Sequence, residues 1–180
     1  MPRLVCLRGE VESRFVAHAR EGVVFQEELR VAARGTGKGG LLGLAEGLLR
    51  EAIDQCGSRT VMGVGIAIAG PVDSETGTLY QPPNLYVLDG VSLKSLWEKS
   101  LGYPVLVGND ANLAALGEFY LGAGREAAKG GTPPGTLVYL TISTGIGGGV
   151  IERGEMFLGA HGLAAEIGHM CIDANASAPE

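Results

Sequence analysis

The stretch V-L-V-G-N-D-A-N-L-A-A-L-G at residues 105–117 decides how the rest of the chain is interpreted. The apolar run at residues 104–107 has the length and β-branched content of a buried strand, and Gly108 ends it. Beyond this strand, apolar side chains recur at helical spacing at Leu113, Leu116 and Phe119 or Tyr120. The pattern predicts a strand that leads directly into an amphipathic helix.

Asn109 and Asp110 stand at the junction between this strand and this helix. Either side chain can cap the helix, because Asn and Asp both accept hydrogen bonds from the first free backbone N–H groups. In an open α/β sheet, the carboxyl ends of the strands also form the crevice where ligands bind. A carboxylate there can accept a proton from a substrate hydroxyl. The local pattern therefore leaves two roles open for Asp110, helix cap and general base.

The composition indicates a globular protein and argues against several classes of partner. Of the 180 residues, 46% are hydrophobic and 19% are charged, which is typical of a folded domain. The net charge of −6 disfavours nucleic-acid binding, which needs clustered Lys and Arg. We expect no membrane partner, because no apolar run is long enough to span a bilayer and a signal-peptide pattern is absent. Three scattered cysteines indicate a reducing, cytoplasmic location.

The order of the predicted elements indicates an α/β fold. Strand-like runs at residues 4–7, 15–18 and 23–29 predict an N-terminal β-meander. Helical and strand patterns then alternate, with a helix over residues 41–56, a buried strand over 61–68 and a short helix over 91–101.

A second unit begins after a segment rich in Gly and Pro. Residues 122–135 form this predicted linker. Residues 137–142 then predict a strand, and residues 143–149 predict a tight turn before a returning strand. This organisation predicts an N-terminal domain at residues 1–122 and a partial second domain at residues 123–180.

The glycine-rich turn is a candidate phosphate site. Gly145 and Gly147 allow backbone N–H groups to approach an anion without obstruction by a Cβ atom, and Thr144 adds a hydroxyl. A glycine-rich hairpin turn that binds no ligand has the same pattern. Phosphoryl transfer needs phosphate donors, a metal and a base near the attacking hydroxyl, so this turn and Asp110 could supply complementary parts.

Asn84, Asn109, Glu166 and His169 form a polar set of the kind that binds sugar hydroxyls. Glu166 and His169 are three residues apart, so in a helical turn both side chains would face one side. Taken singly, Asn84 is better explained as an ordinary turn residue, and His169 as a core histidine or a metal ligand. A complete metal site would need further partners, and Cys171 is the nearby one.

Several motifs occur together in the order found in one known family. They are G-I-A-I-A-G-P-V-D (65–73), P-N-L (83–85), G-N-D-A-N-L-A-A-L-G-E (108–118), L-T-I-S-T-G-I-G-G-G-V-I (140–151) and A-E-I-G-H-M (165–170). The chain therefore resembles the ROK family (repressors, open reading frames and sugar kinases), and it is most similar to the bacterial glucokinases of that family. The resemblance runs from about residue 61 to residue 173.

The resemblance implies the actin-like ATPase fold, in which two ribonuclease-H-like domains enclose a cleft. It implies that this chain contains one complete N-terminal domain and the opening part of the second. It also implies ATP as the phosphoryl donor, magnesium as the metal, and a hexose or N-acetylhexosamine as the substrate. Asp110 would be the general base that takes the proton of the sugar hydroxyl, and the motifs together favour this role over the cap.

The resemblance also implies binding roles for the remaining candidates. The residues that would line the sugar pocket are Gly70, Asn84, Asn109, Glu166 and His169. The residues that would contact the phosphates of the cofactor are Thr144 and Gly145, with Gly147 beside them.

Two segments depart from the family pattern. Family kinases carry an acidic Gly-Gly-Thr turn after the first strand, but residues 7–11 read Leu-Arg-Gly-Glu-Val, so we expect a degenerate first phosphate motif. The cysteine-rich zinc motif of the family should follow residues 166–169, but residues 174–180 contain no cysteine, so we expect no metal site and no zinc. We also expect the chain to stop early in the second domain and to form a homodimer through that side.

These observations lead to two main functional hypotheses. The first is a glucokinase-like, ATP-dependent hexose kinase. The alternative is a catalytically degenerate sugar-binding or partner-dependent protein of the same family. A transcriptional repressor ranks last, because it would need a helix-turn-helix segment where the N-terminal pattern predicts strands.

Overall fold

The computed structural model describes residues 3–7, 28–29, 37–56, 61–83, 85–143, 145–160, 162–171 and 173. Contacts within the chain divide it into two compact units, residues 1–113 and 114–180. The predicted domain boundary between residues 122 and 123 stays a prediction. None of the helices in the described ranges is long and apolar enough to cross a membrane.

The first unit is built on a parallel sheet. Its described strands and helices are, in chain order, β1 (Arg3–Leu7), β2 (Glu28–Leu29), α1 (Lys38–Asp54), β3 (Val64–Ile68), β4 (Val72–Asp73), β5 (Thr78–Leu79), α2 (Leu93–Leu101), β6 (Val105–Asn109) and the start of α3 (Asp110–Leu121). Four strands form the main sheet in the order β2-β1-β3-β6, and all three pairings are parallel. Strands β4 and β5 form a small antiparallel hairpin.

The core of this unit lies between the sheet and two helices. Strand β3 is buried along its whole length, as expected for a central parallel strand. Leu41 and Leu49 of α1 and Trp97 of α2 join the same cluster of buried side chains. The helix predicted over residues 41–56 and the strand predicted over residues 104–107 are therefore both present, with slightly shifted ends.

The predicted N-terminal β-meander is wrong in its strand order. Neighbouring strands in a meander are antiparallel, whereas β2 pairs with β1 directly and in parallel. The strand predicted over residues 15–18 lies outside the described residues. An apolar run can predict an extended segment, but it carries no information about which distant strand becomes its partner.

The second unit contains the end of α3, a short helix α4 (Ala123–Ala127) and an antiparallel sheet. The strands of that sheet are β7 (Thr136–Ile142), β8 (Ile146–Glu152) and β9 (Glu155–Met156). Ala115 and Phe119 of α3 pack with Ile151 of β8 in its core. Of the two candidates for the buried face of α3, Phe119 is buried and Tyr120 is 54% exposed.

Two predictions for this unit need correction. The predicted linker at residues 122–135 contains helix α4, because a Gly-rich composition does not exclude a short helix. The predicted tight turn at residues 143–149 is shorter, since Ile142 pairs with Ile146 and strand β8 begins at that residue. Gly147 therefore lies inside strand β8, opposite Thr141.

Candidate functional site

Asn109 is the N-cap of helix α3. It is the last residue of β6, and its Oδ1 atom accepts hydrogen bonds from the backbone N–H groups of Ala111 (3.0 Å) and Asn112 (3.1 Å). These are two of the orphan N–H groups that begin every helix, and satisfying them is what a cap does. The sequence allowed either Asn109 or Asp110 to cap the helix, and these hydrogen bonds identify Asn109 as the cap.

The Asn109 side chain also connects the carboxyl end of β6 to the turn that follows β3. Parallel pairing of β3 with β6 places Ile68 opposite Asn109, so the two carboxyl ends lie side by side. The Asn109 Nδ2 group donates a hydrogen bond to the carbonyl oxygen of Gly70 (3.2 Å), in the turn that follows β3. One N–H of the Asn109 amide then remains for a ligand.

Gly70 brings the loop with the next candidate close to this edge. Its φ of +111° lies in the region that favours glycine, and a Cβ atom there would lie 3.0 Å from the Pro82 Cβ atom. The Pro82 carbonyl accepts a hydrogen bond from the Leu85 N–H group (3.1 Å), which fixes the loop ends. Asn84 itself lies outside the described residues, so its sugar role stays a prediction.

Asp110 is the first residue of α3 and is half-buried. Its Oδ1 atom accepts a hydrogen bond from the Ala111 N–H group (2.9 Å), an interaction shared with Asn109. In the part of the chain that the structure describes, no group bonds to the Asp110 Oδ2 atom. A carboxylate oxygen with free lone pairs, at the positive end of a helix, is suited to accept a proton from a hydroxyl group.

Glu166 and His169 lie on one side of a single helical turn, as predicted. The 3-10 helix Ile167–His169 carries the histidine, and Glu166 immediately precedes it. The His169 Nε2 and Glu166 Oε2 atoms are 3.9 Å apart, and the two side chains are 84% and 41% exposed. An exposed carboxylate beside an imidazole offers an acceptor and a donor to sugar hydroxyl groups.

Backbone strain marks both predicted sugar-binding segments. Gln81 (φ +43°) directly precedes the proline loop, and Ala165 (φ +65°) directly precedes Glu166. Side chains other than glycine rarely adopt this left-handed conformation, and it persists where surrounding structure enforces it. Arg153 (φ +52°), in the turn between β8 and β9, shares this conformation, so positive φ by itself assigns no binding role to either segment.

Of the three candidate phosphate-binding residues, the structure describes Gly145 and Gly147. Thr144 lies outside the described residues. The Ser143 N–H group donates a hydrogen bond to the Gly145 carbonyl (2.8 Å), and a Cβ atom on Gly145 would meet no atom of the other described residues within 4 Å. Gly145 therefore sits at an open turn, whereas Gly147 belongs to the paired strand.

Asn112 is a polar residue that the sequence reasoning did not single out. It is 3% exposed, and its Oδ1 atom has no hydrogen-bond partner among the described residues. The signal was present in the N-D-A-N motif, where a polar residue stands within an otherwise apolar helix pattern. Within the described ranges, no three His, Cys, Asp or Glu side chains are grouped to hold a metal ion.

The sequence model of the ROK family matches residues 23–179. The chain belongs to the ROK family. This membership confirms the family predicted from the motifs, together with the actin-like ATPase fold class.

Curated relatives within the family include both enzymes and regulators. The glucokinase of Halalkalibacterium halodurans is 37% identical over 119 residues, which cover 66% of this chain and 34% of that protein. A putative xylose repressor of Caldicellulosiruptor sp. is 37% identical over 130 residues, which cover 71% of this chain and 31% of that protein. The chain thus spans about a third of the length of the curated relatives it matches.

A solved structure from the same family is also similar to this chain. The ROK family glucokinase from Streptomyces griseus, determined in complex with glucose and AMPPNP, aligns with a TM-score of 0.60 and 34% identity. The alignment covers 73% of this chain and 39% of that protein.

Proposed function

We propose that this chain carries the sugar-binding and proton-accepting part of a glucokinase-like hexose kinase. Asp110 is the general base that takes the proton of the attacking sugar hydroxyl. The observation that carries the proposal is the capping of α3 by Asn109, which leaves the Oδ2 atom of Asp110 without a described partner. Asp110 itself bonds the helix through Oδ1 alone, at 2.9 Å from the Ala111 nitrogen, so Oδ2 is available to accept a proton.

Each unit, taken by itself, offers polar groups that would bind hydroxyl groups of the sugar, a hexose or an N-acetylhexosamine. Asn109 offers its remaining amide N–H, and Glu166 and His169 offer an exposed acceptor and donor. Gly70 lets the Pro82 loop pack closely against the strand end, and Asn84 of that loop would bind a further hydroxyl. Each such hydrogen bond discriminates between sugars, because a missing hydroxyl leaves a polar protein group unpaired.

The phosphoryl donor would be ATP with magnesium, which supply the transferred group and neutralise its charge. The open turn at Gly145 fits a phosphate, because no described atom crowds a Cβ position there, and Thr144 would add a hydroxyl. Gly147 would act from strand β8, just beyond the turn. Magnesium is commonly held by one or two carboxylates and by the phosphates themselves. We assign no residue to the metal.

A sugar-binding protein without kinase activity is the second candidate. The similarity to a putative xylose repressor, at the same 37% identity as the glucokinase, favours it. A regulator would keep the sugar contacts and would not need a base. In either case we propose a cytoplasmic homodimer that does not bind nucleic acid through the described units.

A coupled assay of hexose phosphorylation tests the proposal and separates the two candidates. Glucose, mannose and N-acetylmannosamine are supplied with ATP and magnesium, and calorimetry with the same sugars and with xylose is run in parallel. Turnover of at least one sugar supports the kinase. Binding without turnover supports the regulator, and neither binding nor turnover contradicts both.

A further inference from the structure

The 3-10 helix Ile167–His169 lies directly against strand β8. Gly168 makes this close approach possible, because a Cβ atom at this position would overlap the carbonyl oxygen of Ile146 and lie 3.0 Å from its carbonyl carbon. Both atoms belong to the backbone and cannot rotate away. A larger residue at position 168 must therefore displace the helix by roughly 1 Å to restore van der Waals separation.

Gly148 serves the same contact from the side of the strand. A Cβ atom there would lie 2.8 Å from the Ile167 Cδ1 atom and 2.8 Å from the Tyr139 carbonyl oxygen. Gly148 and Gly168 together form what we call the glycine seam. The seam brings backbone against backbone, so the placement of the 3-10 helix depends on the absence of two side chains.

The Glu166 and His169 side chains have no other anchor among the described residues. Apart from their own 3.9 Å pair, neither makes a side-chain hydrogen bond to a described group, and both are exposed. Their positions are therefore set by their backbone. Ala165, held at φ +65° immediately before Glu166, indicates that the surrounding structure imposes this backbone path.

We propose that Gly148 and Gly168 are positioning residues, which hold Glu166 and His169 where their side chains can bind the sugar hydroxyl groups. The same strand, β8, begins directly after the turn that contains Gly145, so the seam joins the sugar-binding pair to the candidate phosphate turn within one unit. This inference rests on the proposed sugar role of the pair and deepens it.

The test compares Gly168→Ala with the unchanged chain by calorimetry, using glucose and AMPPNP as separate ligands. The displacement weakens the hydrogen bonds of Glu166 and His169 to the sugar, each worth about tenfold, so we expect glucose affinity to fall on the order of 100-fold. AMPPNP affinity should change less than about twofold, because the β7–β8 pairing is untouched. Gly117→Ala is the matched control, since a Cβ atom on this glycine of α3 meets nothing within 4 Å.

Amide NMR spectra without ligand give a second, independent readout. Gly168→Ala should shift the resonances of residues 165–170 and 146 and leave those of β7 in place. If Gly168→Ala does not fold, Gly148→Ala should weaken glucose binding about tenfold. Its Cβ atom would lie 2.8 Å from the Tyr139 carbonyl oxygen, so resonances near Tyr139 should shift as well.

The outcomes separate this inference from the proposed function. Unchanged glucose affinity in the seam variants, or an equal loss of glucose and AMPPNP affinity, overturns the positioning role. If the unchanged chain binds no glucose, the proposed function fails. In that case the NMR spectra alone test whether the glycine seam places the 3-10 helix. Shifts confined to residues 165–170 and 146 support this placement, and unshifted resonances overturn it.

Discussion

Replacing Asn109 by alanine should destabilise the first unit more than any change at Asp110. The substitution removes the acceptor for the N–H groups of Ala111 and Asn112, and loss of an N-cap costs about 1 kcal/mol. It also removes the hydrogen bond to the Gly70 carbonyl, worth about another 1 kcal/mol. We therefore expect the free energy of unfolding to fall by about 2 kcal/mol.

Two further variants separate the components of this loss. Asn109→Ser keeps a capping oxygen and loses the donor to Gly70, so it should cost about 1 kcal/mol. Asp110→Ala leaves the cap intact and should cost no more than about 1 kcal/mol, from the lost interaction with the helix dipole.

The assay is urea unfolding followed by the fluorescence of Trp97. This residue is the single tryptophan of the chain, is fully buried and lies in the same unit as Asn109. A larger destabilisation by Asp110→Ala than by Asn109→Ala would refute the reasoning, because it would make Asp110 the cap.

Three further predictions concern other parts of the chain. Gly77→Ala should lower the free energy of unfolding by about 2 kcal/mol in urea titrations, since Gly77 has φ +65° and its Cβ atom would lie 2.6 Å from a side-chain carbon of α2. Gly90→Ala (φ +69°, nothing within 4 Å) should cost only about 1 kcal/mol, and equal losses would contradict the packing argument. The backbone N–H groups of Thr76 and, to a smaller extent, Glu75 donate hydrogen bonds to the Asp73 carboxylate and lower its pKa. The stability that this carboxylate contributes is therefore present above about pH 4 and is lost as the pH falls through the lowered pKa. Asp73→Asn should therefore weaken the acid dependence of the melting temperature, and an unchanged profile would speak against this assignment. His169→Ala should leave the melting temperature unchanged, because the side chain is 84% exposed, and should weaken glucose binding about tenfold by calorimetry; unaltered affinity would remove His169 from the site.

Local sequence patterns predicted the elements that depend on local interactions. The strand and helix on either side of Asn109 follow from apolar periodicity and a glycine stop, and both are present. The shared side of Glu166 and His169 follows from their spacing of three residues. These features need only the geometry of one element.

Features that depend on distant partners could not be predicted in this way. Asn and Asp have similar capping preferences, so only the observed hydrogen bonds distinguish Asn109 from Asp110. Glycine suits both a turn and a closely packed strand, and the pairing of Ile142 with Ile146 decides that Gly147 belongs to the strand. The direct pairing of β2 with β1 likewise has no local signature.

The most direct test of the proposed chemistry is the rate of hexose phosphorylation by Asp110→Asn. This variant keeps a side-chain oxygen for the Ala111 N–H group and leaves the Asn109 cap in place, so the fold should be unchanged. With glucose, ATP and magnesium in the coupled assay, we expect the unchanged chain to turn over and the variant to lose about 100-fold to 10,000-fold in kcat, with glucose affinity largely kept. Undiminished turnover in the variant would contradict the role of Asp110 as general base.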